Sequence, residues 1–124
     1  MTERPTYYTR AGDPLSFAEF VATIVKDRQK RVARTTVGDT YVSTVFLGLD
    51  HACEGPPMIF ETMIFGGDRD QDCWRYSTEE EARAGHAKAV ELLKRDKAVS
   101  DIPMIVLHVF IVVMLAYILL RWLA

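Results

Sequence analysis

Hydrophobic positions along this chain form one unbroken block near the C-terminus and several short patterned stretches before it. From Ile102 to Leu120, 19 residues pass without an Asp, Glu, Lys or Arg. At about 1.5 Å per residue they reach roughly 28 Å, close to the ~30 Å hydrocarbon core of a bilayer. Leu, Ile, Val and Phe fill 13 of those positions. On an insertion scale each contributes about −0.3 to −0.6 kcal/mol, so the weak end alone gives roughly −4 kcal/mol. The apolar residues lie all round and not on one stripe, which excludes a helix lying flat in the interface. A membrane-spanning helix is therefore expected over 102–123. Pro103 falls in its first turn, where a missing N–H is harmless. Tyr117 and Trp122 fall toward its far end, where amphipathic rings anchor at an interface.

The rest of the pattern predicts an α+β domain over 1–97. Residues 1–14 are polar, with Pro5 and Pro14, and read as an extended arm around Tyr7 and Tyr8. Ser16 and Glu19 have the spacing of a capping box. Phe17, Phe20, Val21, Ile24 and Val25 follow a 3.6 period, so a helix is expected from Phe17 to about Arg28. Strands are expected at Arg31–Val37, Thr40–Leu49, Met58–Phe65 and Cys73–Tyr76. Gly38-Asp39, Gly55-Pro56-Pro57 and Gly66-Gly67 punctuate them. Ser77 and Thr78, with Glu80 and Glu81, cap a second helix running to about Lys97. Ala82, His86, Ala89, Val90 and Leu93 make its inward stripe. The expected fold is a small antiparallel sheet of three to four strands with two packed helices, a linker at 98–101 and the span.

Charge sharpens this division. All 17 acidic residues and all but one of the 15 basic residues lie at or before Asp101; Arg121 is the exception. A mildly acidic domain is a poor match for nucleic acid, which needs Lys and Arg gathered on one face. Lys94, Arg95 and Lys97 precede the span and Arg121 alone follows it. The positive-inside bias then puts the domain in the cytoplasm of a bacterial cell, with the span in the inner membrane. The basic trio is expected to face anionic headgroups, at about 1 kcal/mol each. The start, Met-Thr-Glu-Arg-Pro-Thr, lacks the pattern of a secretory signal. With few residues after the apolar run, the segment reads as a tail anchor. Cys53 and Cys73 are too few for a disulfide framework and read as reduced thiols, with a single disulfide as the alternative.

Three runs of residues resemble a known group. They are Val42-Ser-Thr-Val-Phe-Leu-Gly-Leu-Asp-His51, Pro56-Pro-Met-Ile-Phe-Glu-Thr-Met-Ile-Phe65 and Arg75-Tyr-Ser-Thr-Glu-Glu-Glu-Ala-Arg-Ala-Gly-His86. Together with Tyr8-Thr-Arg-Ala-Gly-Asp-Pro-Leu-Ser16, they are similar to an uncharacterised family of small phage and prophage proteins, over about residues 5–95. The resemblance implies a genetic context and no chemistry. Those proteins end near the second helix, whereas this chain continues into its apolar block.

Candidate chemistry centres on His51, Glu61 and His86, the polar residues of those runs. Two histidines and a carboxylate can bind a metal or move protons. If the second helix packs on the side of the sheet that carries Glu61, Glu61 and His86 could meet there; the plainer reading is a hydrogen bond that fixes helix to sheet. Asp68-Arg-Asp-Gln-Asp72 with Glu79 resembles the spacing of a calcium loop, but Cys73 stands where that loop needs glycine, so a turn is expected. No phosphate loop or nucleophile elbow is present, and the sequence calls for no enzyme and no cofactor. His108 is polar at membrane depth; it reads as a lone neutral imidazole tolerated near one interface or as a helix–helix contact, with ligation of a haem or chlorophyll magnesium in a larger complex as the alternative. The expected partners are the membrane and a protein. Three roles follow: an adaptor that binds a protein at the membrane, an accessory single-span subunit, or a small metal-dependent enzyme.

Overall fold

The computed structural model describes residues 3–26 and 30–124 and divides into two compact units, 1–93 and 94–124. Its elements are β1 (Tyr7–Tyr8), β2 (Pro14–Leu15), α1 (Phe17–Lys26), β3 (Arg31–Val37), β4 (Thr40–Phe46), β5 (Phe60–Phe65), β6 (Cys73–Tyr76), α2 (Glu79–Ser100) and α3 (Met104–Leu123). This is the expected α+β class: a four-stranded antiparallel sheet in the order β3-β4-β5-β6, a two-stranded ribbon, and a C-terminal apolar helix. The expected end of α1 at Arg28 lies outside the described residues. Helix α2 continues to Ser100, past the expected end at Lys97, because no Gly or Pro interrupts it before Pro103.

Local chemistry sets the boundaries. The N–H of Glu19 donates to Ser16 Oγ at 3.3 Å, and the N–H of Ser16 donates back to the Glu19 carboxylate at 2.8 Å. Of the two possible caps for α2, Thr78 is the one used: the N–H of Glu81 donates to its Oγ1 at 3.1 Å. The N–H of Ser77 donates to the Glu81 carboxylate at 3.2 Å and closes the box. Between β3 and β4, Gly38 takes φ 59, the glycine-first pattern of a type II′ hairpin.

The N-terminal segment is not a free arm. Tyr7–Tyr8 pairs with Pro14–Leu15, and the N–H of Tyr8 donates to the Gly48 carbonyl at 2.9 Å. The reason is aromatic. Tyr8 is buried with Ile59, Phe60 and Ala82, while Tyr7 stacks on Phe20 of α1 at 4.6 Å.

The buried face of the sheet carries Val42 and Thr44 of β4 and Phe60, Thr62 and Ile64 of β5. Helix α2 lies over it. Ala89, Val90 and Leu93 pack on Val42 and Ile64, and Ala82 packs on Ile59 and Phe60. Each large aliphatic or aromatic side chain fully buried here contributes about 1.5–3 kcal/mol. Gly85 lets the helix approach: a Cβ there would fall on the Tyr76 hydroxyl and ring, with Cε1 only 2.7 Å away.

Candidate functional site

Between those two apolar clusters, α2 brings His86 down onto two threonines, Thr35 and Thr44. His86 Nδ1 meets Thr44 Oγ1 at 2.8 Å, and Nε2 meets Thr35 Oγ1 at 2.8 Å. Thr44 Oγ1 meets Thr62 Oγ1 at 2.6 Å, and the Tyr76 phenol bonds Thr62 in turn. The chain Thr35–His86–Thr44–Thr62–Tyr76 thus crosses the sheet beneath α2. Thr44 and Thr62 have no exposed surface. Among the described residues no buried side-chain nitrogen or oxygen lacks a partner. A neutral imidazole offers one donor and one acceptor, and hydroxyls rotate to suit, so the network is satisfied without any charge.

Burial, and secondarily the Arg83 guanidinium, hold His86 below its ordinary value of 6.5. The sign follows from linkage. The folded state resists the proton that the unfolded chain takes up below about 6.5, so the contribution is intact above that pH and declines below it. Thermal unfolding of the full chain in mild detergent should therefore shift to lower temperature as pH falls through 6.5. His86→Gln should flatten that part of the curve; an equally steep profile in the variant would exclude His86 as its source. Carboxylates act in a lower window, since Asp50, Glu79 and Glu19 start from ordinary values of 3.8 or 4.5 and are held lower still.

The structure does not bring His51, Glu61 and His86 together. Glu61 precedes Thr62 on β5, so strand alternation puts it on the opposite face from the His86 network. There it accepts from Arg75 Nε at 3.0 Å. That face also carries the Tyr41–Phe65 stack, with the Arg34 guanidinium 4.2 Å above the Tyr41 ring. His51 sits exposed on the loop after β4, and its N–H donates to the Met58 carbonyl at 3.2 Å. Both ring nitrogens of His86 are taken by hydroxyls, which leaves neither for a metal. Among the described residues no three His, Cys, Asp or Glu side chains converge as a metal site. In the Asp68–Asp72 turn, Asp70 Oδ1 accepts the Gly66 N–H at 2.7 Å. Glu79 is held by Arg10 and Arg83, at 3.0 and 2.9 Å.

Two ion-paired residues are invisible in the local sequence pattern. Asp50 is nearly buried and accepts from Arg4 and from the N–H groups of Ala52 and Met58. Burial opposes its charge, but those donors outweigh it and keep the carboxyl below the usual range. It closes the loop that carries His51. Arg10 grips Glu79 with two bonds of 3.0 Å, joining the ribbon to the first turn of α2. Both side chains are about a third exposed, which limits such a pair to about 0–1 kcal/mol. Cys53 and Cys73 are free and exposed. Burial, and then Glu61, push the Cys73 thiol up.

In the second unit, α3 is 20 residues long with a mean hydropathy of 2.5, and none of its apolar window is buried. Val106 and Leu107 donate their N–H groups to the Pro103 carbonyl, so Pro103 is the N-cap of α3, just before the first turn expected to hold it. His108 Nδ1 meets the Met104 carbonyl one turn back at 3.0 Å. Tyr117, Ile118, Arg121 and Trp122 line one shallow hollow near the C-terminal end. Lys94, Arg95 and Lys97 are exposed on the last turns of α2.

Comparison with family models, with curated proteins and with solved structures finds no match to this chain.

Proposed function

We propose that this chain is a single-span membrane protein, held in a bacterial cytoplasmic membrane by α3, whose cytoplasmic α+β domain binds another protein. The observation that carries the reading is α3: a 20-residue, largely apolar helix with no protein surface over its apolar window. Left in water, such a helix exposes far more contiguous apolar area than a soluble protein tolerates. The orientation rests on the basic residues before the helix and the lone Arg121 after it. The binding role is supported by what the domain's polar groups do. His86, Glu61, Asp50 and Glu79 are all engaged in hydrogen bonds or ion pairs that fix the fold and present a settled surface to a partner. A phage or prophage origin belongs to the same proposal, on the three sequence runs that resemble that group.

A second reading, an accessory subunit that docks through α3, is favoured by His108. Its Nδ1–H satisfies a carbonyl of its own helix, and its Nε2 acceptor is left for a neighbour in a surface that is otherwise apolar. Purification of the full chain in mild detergent tests both. A stoichiometric partner retained by His108→Leu supports binding through the domain. A partner lost with His108→Leu supports docking through the span. A chain that emerges alone and monomeric overturns both.

A further inference from the structure

Helix α1 presents an apolar stripe that the fold leaves largely uncovered. Phe20 is its one buried residue, at 8% exposure, and the Phe17 ring touches that of Tyr7 at 5.6 Å. Phe17, Val21, Ile24 and Val25 lie on adjoining i, i+4, i+7 and i+8 positions and are 65%, 42%, 38% and 75% exposed. The opposite side carries Glu19, locked into the cap, and Thr23, whose hydroxyl donates to the Glu19 carbonyl at 2.6 Å. Lys26 ends the helix, and Lys30 and Arg31 follow it, all exposed. Isolated surface hydrophobics need no explanation, but four on one stripe of a ten-residue helix form a patch.

We propose that the stripe of α1 seats in the headgroup–acyl boundary of a lipid bilayer that carries anionic headgroups. The inference rests on the membrane reading of α3. Three features select lipid over protein as the occupant. Cations gather at the C-terminal end of the helix, with Lys26 on its polar side and Lys30 and Arg31 after it, and anionic headgroups attract them. The stripe's aromatic and aliphatic residues oppose a polar side, the layout of a helix that lies in the interface plane. Only Asp101, Ile102 and Pro103 separate α2 from the apolar α3, so the span tethers the domain at a lipid surface. Lying flat in a lipid surface, α1 would act as a second, reversible membrane contact.

The test uses the full chain with both native thiols replaced, Cys53→Ser and Cys73→Ser, and an environment-sensitive fluorophore on Val25→Cys. Val21→Cys is a second labelling site, and a chain keeping only Cys53 is the control. Each is reconstituted into phosphatidylcholine vesicles with and without phosphatidylglycerol. The expected result is quenching by shallow spin-labelled lipid at positions 25 and 21, severalfold above that at Cys53 and stronger with phosphatidylglycerol. Labels at 25 and 21 as open to aqueous iodide as the one at Cys53 would overturn the proposal. So would labels shielded equally in both lipids, unquenched by spin-labelled lipid and showing energy transfer between copies, which is the signature of a second chain on the stripe. Alkaline washing of the same vesicles separates the two readings. A chain that washes off refutes the anchor and this inference with it; a chain that stays while the α1 labels remain wet refutes this inference alone.

Discussion

Replacing Val112 and Val113 together by Asp should strip the full chain from membranes. The two residues lie midway along α3, Met104–Leu123. Each Asp at a helix centre costs about 2.5–3.5 kcal/mol on the insertion scale, so the pair costs roughly 5–7. The 13 Leu, Ile, Val and Phe residues from Ile102 to Leu120 supply only about −4 kcal/mol at the weak end of the same scale, and two of them are lost in the change. At the weak end the sum therefore changes sign, and at the strong end, about −0.6 kcal/mol per residue, it falls to roughly zero. Alkaline extraction followed by sedimentation reads the outcome: the natural chain stays in the pellet and the double Asp variant moves to the supernatant or aggregates. Val112→Leu with Val113→Leu is the control and stays in the pellet. A double Asp variant that still resists extraction would show that something other than α3 holds the chain.

Gly85→Ala should destabilise the domain even though alanine is the better helix former. In an exposed helix that exchange gains about 0.8–1 kcal/mol. At Gly85 the added methyl falls on the Tyr76 hydroxyl and ring. Tyr76 has little freedom to yield, because its ring packs against the buried cluster of Tyr8, Ile59, Phe60 and Ala82, and that burial pushes the phenol above its ordinary value of 10.0. Overpacking of this kind costs about 1–3 kcal/mol net, or roughly 4–8 °C in Tm for each kcal/mol in a domain of this size. The check is a double-mutant cycle on the full chain in mild detergent. In a Tyr76→Ala background the clash is gone, and Gly85→Ala should become stabilising. The same sign in both backgrounds would mean that Tyr76 and Gly85 do not meet as described.

Much of this fold was legible because local rules governed it. Strands β3 and β6 begin and end where the apolar and turn residues predict, and both helix caps use the expected Ser16, Thr78 and glutamates. What alternation cannot say is which side of a strand goes inward. On β5, Glu61 and Thr62 are neighbours, and the sequence drew attention to Glu61; the structure buries Thr62. The reason is long-range. Thr62 reaches Thr44 and through it His86, which lies 42 residues beyond Thr44 in the chain, so no local window contains the network. The same holds for Arg4 and Asp50, whose pairing folds a segment that its prolines and polar residues marked as extended. Helix α1 shows the converse. Its 3.6-residue period is correct, but periodicity alone does not reveal that only Phe20 is buried.

The two exposed thiols have a practical consequence. Cys53 and Cys73 both belong to the first unit, and α3 contains no cysteine. The chain therefore carries its own reporter of sidedness. With α3 across a bilayer, as proposed, a thiol reagent that cannot cross lipid would modify it only from the compartment that holds the domain, without any engineered tag. Cys73 sits beside Glu61, with its thiol pushed up, so at neutral pH it holds less thiolate than an ordinary cysteine and reacts more slowly.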